Sequence, residues 1–105
     1  MRFEQVVGLF ADLDSGELTS WVERGWVRPD ESGDVLEFRE IDVARVRLIR
    51  DLRREMDVGE EVVGLMLPLL DQVYALRAEM RRLASAIAAQ PEGVRAAIWD
   101  RLNAP

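Results

Sequence analysis

The chain has 105 residues, enough for one domain around one core. A hydrophobic share of 49% with 32% charged residues is that of a globular protein and argues against a disordered or membrane-embedded one. Cysteine and histidine are both absent, which excludes disulfides, thiolate nucleophiles, Cys/His zinc sites and the commonest general base. The net charge is −6, and all fourteen basic residues are arginine. Residues 1–42 hold eleven acids against four arginines, a balance of −7, so the rest of the chain is close to neutral. Such a surface suits a basic partner and disfavours nucleic acid, whose phosphates are bound through Lys and Arg; ordinary solubilising charge is the plainer alternative. No apolar run resembles a secretory leader or reaches the ~20 residues of a membrane span. No membrane association and a cytoplasmic location are therefore expected.

The first element is a short helix from Phe3 to Phe10, with Phe3, Val6, Val7 and Phe10 on one face. Asp14 followed by Glu17 is a capping-box pattern opening a second helix, Ser15–Arg24, whose stripe is Leu18, Trp21 and Val22. Gly25 ends it. Trp26–Pro29 and Val35–Phe38 read as extended segments around turn residues 30–34, a small β-hairpin that needs helices to pack on. A third helix runs from about Glu40 to Met56, with Ile41, Ala44, Leu48, Ile49, Leu52 and Met56 as its stripe and the arginines outside it. Asp57-Val58-Gly59 breaks it.

From Glu60 onward, Val62, Met66, Leu69, Val73, Leu76, Met80, Leu83 and Ile87 are spaced 4,3,4,3,4,3,4, which is a heptad seam. Pro68 is expected to divide a short helix from a long one over Leu69–Ala89. Pro91 starts a last short helix with Val94, Ile98 and Leu102 as its stripe and Trp99 beside them. The seam has two readings, core of its own chain or an interface with a second copy. The preceding elements already make a unit with its own core, so a homodimer through Leu69, Val73, Leu76, Met80, Leu83 and Ile87 is expected. The architecture expected is mainly α: a winged helix-turn-helix with a hairpin wing over 1–58, then a C-terminal dimerising helical region over 59–105, in one compact unit.

Catalysis is not expected. No glycine-rich phosphate loop or nucleophile elbow is present, and acid pairs such as Asp12/Asp14 and Glu60/Glu61 are those of solvated turns and helix starts. No catalytic residue, metal ligand or cofactor is assigned. The helix–helix–hairpin–helix order is that of winged DNA readers, but the second helix carries Glu17 and Glu23 outward and the hairpin carries Asp30, Glu31 and Asp34. Base readout and phosphate anchoring want the opposite sign.

The run Gly16-Glu17-Leu18-Thr19-Ser20-Trp21-Val22-Glu23-Arg24-Gly25-Trp26-Val27-Arg28-Pro29, followed by Leu36-Glu37-Phe38 and by Ile41–Leu52, resembles the MerR-type winged-helix superfamily. Within it the chain is most similar to the chaperone-modulator proteins of the CbpM type. That similarity extends through Leu67, Leu69-Leu70-Asp71 and Leu76-Arg77-Ala78-Glu79, and covers roughly Phe3 to Leu83. DNA-binding MerR regulators usually carry an Arg and two aromatics before the Glu of the second helix. Here Ser20-Trp21-Val22 precede Glu23, and a basic wing is missing. The resemblance implies binding to the J-domain of a DnaJ-like co-chaperone (CbpA type), blocking its stimulation of Hsp70. The alternative it leaves is a MerR-like DNA-binding transcriptional regulator. If the modulator reading holds, Asp12, Asp14, Glu17 and Glu23 are the first candidates for partner contact, with Phe10 as an apolar anchor.

Overall fold

The first helix, α1 (Phe3–Leu9), is held at its start by Gln5, whose Oε1 accepts the Arg2 N–H at 2.8 Å. Its inward residue is Val6, and Phe10 just beyond its end is also buried. The computed structural model describes residues 1–105. Helix α2 (Ser15–Glu23) opens on the expected capping box: Asp14 Oδ1 accepts the Glu17 N–H at 2.8 Å. Gly25 follows its end at φ +75°, a left-handed conformation that costs glycine nothing. Leu18 and Trp21 are the buried side of α2.

The hairpin differs in register from expectation. Strand β1 is Asp30–Ser32 and β2 is Val35–Glu37, antiparallel, with Ser32 opposite Val35. The turn is therefore only Gly33-Asp34, with Gly33 at φ +64°, which glycine supplies at the first position of a two-residue hairpin loop. Trp26–Pro29 is not a strand; Val27 is instead driven into the core. On its other edge β2 meets the start of the chain, where Arg2 bridges Glu37 and the Phe38 N–H donates to the Met1 carbonyl at 2.7 Å.

Helix α3 (Glu40–Arg54) is rotated from its expected face. Asp42, Val46, Ile49 and Leu52 are buried, whereas Ile41 and Met56 are exposed. The cause is Asp42, only 4% exposed: its Oδ2 accepts both the Arg39 N–H at 2.9 Å and the Arg39 Nε–H at 3.0 Å. This carboxylate turns inward at the first turn, a position invisible to a hydrophobic pattern. The helix ends at Arg54, and Asp57 in the following connection adopts φ 52°.

Helix α4 (Glu60–Ala88) is one continuous helix with Pro68 inside it, not the expected pair of helices. Proline removes the N–H that would bond to the Gly64 carbonyl, a local defect that the turns on either side tolerate. Helix α5 (Glu92–Leu102) follows Pro91. The chain divides into two compact units, Met1–Leu67 and Pro68–Pro105, so the boundary falls inside α4 and not at residue 58. The first unit holds every buried side chain, including Val63 and Leu67 from the start of α4. Fully burying a side chain such as Leu18 or Ile49 contributes about 1.5–3 kcal/mol, so this cluster is what holds the unit together. No helix is long and apolar enough to cross a membrane.

Candidate protein-interaction site

Five arginines lie along α3, at positions where simple periodicity puts them in solvent. Four of them tie the Met1–Leu67 unit together. Arg45 Nε donates to the Trp26 carbonyl at 2.9 Å. Arg50 Nε donates to Asp12 Oδ1 at 2.8 Å, and its Nη1 reaches Asp51 at 3.2 Å. Arg53 donates to the Val58 carbonyl at 3.0 Å. Arg54 bonds Glu17 and the Asp12 carbonyl. The fifth, Arg47, lies with Arg50 over the Phe10 ring, each guanidinium 5.6 Å from its centroid. The long stems of these side chains cover apolar surface while their heads bind fixed acceptors.

These ties decide the fate of the acids expected at a partner site. Phe10 is 6% exposed, closed beneath Arg47 and Arg50, so it is a core residue and not an accessible anchor. Asp12 is held by Arg50, with Arg54 3.9 Å away. The hydrogen bond from Arg50 keeps the Asp12 carboxyl below its ordinary value of 3.8. Glu17 accepts from Arg54, and its own N–H is capped by Asp14. Hydrogen bonds to Asp42, Asp12 and Glu17 raise the already high values of Arg39, Arg50 and Arg54 in turn. Of the five candidates, only Glu23 is exposed with neither an ion pair nor a capping role.

The hairpin presents part of the acid that the core does not engage. Glu31 and Asp34 are exposed, while Asp30 lies 3.7 Å from Arg39 and Glu37 is bonded at the start of the chain. Counted over Met1–Leu67, sixteen acids face nine arginines, a balance of −7. Most of those arginines donate inward. Arg24 joins them, reaching Glu60 at 3.0 Å while stacking 5.0 Å from the Trp26 ring centroid. Trp26 in turn packs toward Gly64 of α4.

The expected dimer residues form a separate surface. In Pro68–Pro105 no side chain is buried. Leu69, Leu76, Met80 and Leu83 are 60–63% exposed, Val73 is 42% exposed and Ile87 is intermediate. Sequence periodicity located this stripe. It did not locate the α3 arginine ties, because their partners lie 37 and 38 residues away and only three-dimensional packing brings them together.

Comparison with protein-family models, curated proteins and solved structures finds no match to the chain.

Proposed function

We propose that the protein is a modulator of a DnaJ-type co-chaperone: it binds the J-domain and blocks stimulation of Hsp70. The Met1–Leu67 unit would be a MerR-like winged helix whose DNA-reading role has been replaced by protein binding. One observation carries the reading. Seven of the nine guanidinium groups of this unit donate to carboxylates and carbonyls of the same unit, while Glu23, Glu31 and Asp34 face solvent. A winged helix in that state has few cations left over for phosphate anchoring. It offers uncommitted acid to a basic helix, and J-domains present such a helix to Hsp70.

The same geometry supports one choice of binding surface. Asp12, Asp14 and Glu17 are engaged within the fold, so Glu23 on α2 and Glu31 and Asp34 at the hairpin are assigned to partner contact. The test is an Hsp70 ATPase assay stimulated by the same organism's DnaJ-like protein. Added modulator lowers the stimulated rate in a saturable way and leaves the basal rate unchanged. An unaltered stimulated rate at saturating protein contradicts the proposal.

A further inference from the structure

The arginines late in α4 differ from those of α3, because they reach no acceptor in a core. Arg77, Arg81 and Arg82 all have exposed side chains. Arg82 pairs with Glu79 one turn back, an ion pair in water that holds it only weakly. Arg81 makes no ion pair.

Ser85 continues their face of the helix. Residues three and four apart are neighbours on a helix, so Arg82 and Arg81 both flank Ser85, and Arg77 lies one turn further along the same line. Ser85 is exposed, and with Arg81 and Arg82 it lines a shallow depression whose other walls include the small side chains of Ala78 and Ala86. At ~100° per residue this face lies on the opposite side of α4 from Leu76, Met80, Leu83 and Ile87, so a cover over that apolar stripe leaves Ser85 open. No other serine or threonine has arginine both three and four positions before it. Ser15, Thr19 and Ser20 stand on the acidic α2, and Ser32 directly follows Asp30 and Glu31.

We infer that Ser85 is a phosphorylation site for an arginine-directed serine/threonine kinase. Ser85 Oγ attacks the γ-phosphorus of ATP, the new O–P bond forms as the bond to ADP breaks, and the hydroxyl proton passes to the base of the kinase. Two features favour reaction here. Arg81 and Arg82 give an acidic kinase groove two charges to grip beside the hydroxyl. Ser85 also sits in the last turn of α4, where its carbonyl accepts the Ala89 N–H at 3.1 Å, and no side chain of the Pro68–Pro105 unit is buried. Such a turn opens at low cost into the extended form that a kinase holds.

The same arginines accommodate the product. A phosphate near a helix C-terminus meets the negative end of the dipole, and the guanidinium groups of Arg81 and Arg82 offset that repulsion. With five arginines and four acids the Pro68–Pro105 unit stands at +1, and one phosphate brings it to about −1. The modification therefore reverses the sign of this unit without touching the apolar stripe.

The test is to incubate the full chain with MgATP and calmodulin-dependent protein kinase II, which selects arginine three residues before its acceptor. Intact mass and peptide mapping read the product. One phosphoryl group on Ser85 is expected. Ser85→Ala should remove it, and Arg82→Gln should slow its transfer about tenfold, the loss of one charge-assisted contact. Circular dichroism checks that both variants keep the helical fold. No transfer to the parent, transfer to Ser15, Ser20 or Ser32 instead, or an unchanged rate in Arg82→Gln overturns the inference. Protein purified from growing and from starved cells of its own organism should carry the Ser85 phosphopeptide in at least one state, and its absence from both also overturns the inference.

Discussion

Arg50 donates to Asp12 at 2.8 Å, joining α3 to the loop between α1 and α2 while its guanidinium also lies over Phe10. The pair sets a pH dependence of known sign. Arg50 depresses the Asp12 carboxyl in the folded state, so folding gains stability from it above the ordinary value of 3.8. That gain is lost as pH falls through the lower, folded value. Asp12→Asn is therefore less stable than the parent at neutral pH, and the difference closes as pH drops below 3.8. Urea midpoints of the two proteins across that range measure it.

Phe10 is a core residue, closed beneath two guanidinium groups. Phe10→Ala should destabilise the fold by about 3–5 kcal/mol, the usual range for emptying an aromatic core site. Phe10→Leu keeps most of the volume but removes the ring beneath Arg47 and Arg50, and should cost about 1 kcal/mol. Under conditions where Phe10→Leu remains folded, its J-domain affinity should match that of the parent.

Gly64 sits inside α4, where a Cβ would meet Trp26 Cζ2 at 3.7 Å, an ordinary van der Waals contact. Gly64→Ala should raise stability by about 0.5–1 kcal/mol, by lowering backbone entropy and adding packing on the indole. Thermal melting of the variant checks this; a loss of stability would mean that Trp26 has no room to accept a methyl group.

Local chemistry was legible from the residues alone. The Asp14/Glu17 capping box, the left-handed Gly25 and the apolar seam of α4 all depend on neighbours within a turn or two. What escaped depends on distant partners. The inward Asp42 makes a polar residue part of the core face of α3, and a hydrophobic template cannot register it. Phe10 fits an exposed anchor as well as a core residue until Arg47 and Arg50 close over it. Pro68 carries a strong local preference against helix, and the continuity of α4 around it overrides that preference. The acidic candidate site was half legible for the same reason: its sign shows in the composition, but which acids are already engaged shows only in the fold.

If the hairpin acids make the contact, Glu31→Lys with Asp34→Lys should weaken J-domain binding by about tenfold and leave thermal stability almost unchanged, because neither side chain is tied to the core. Asp12→Lys should do the reverse, lowering stability by removing the acceptor of Arg50. Calorimetric binding and melting curves on both variants separate the two effects.

The most direct measurement is a titration of the protein into the isolated J-domain of the same organism's DnaJ-like co-chaperone, at low and high salt. The account predicts saturable binding that weakens as salt screens the acidic surface. Absence of binding at high micromolar concentration at either salt would contradict it.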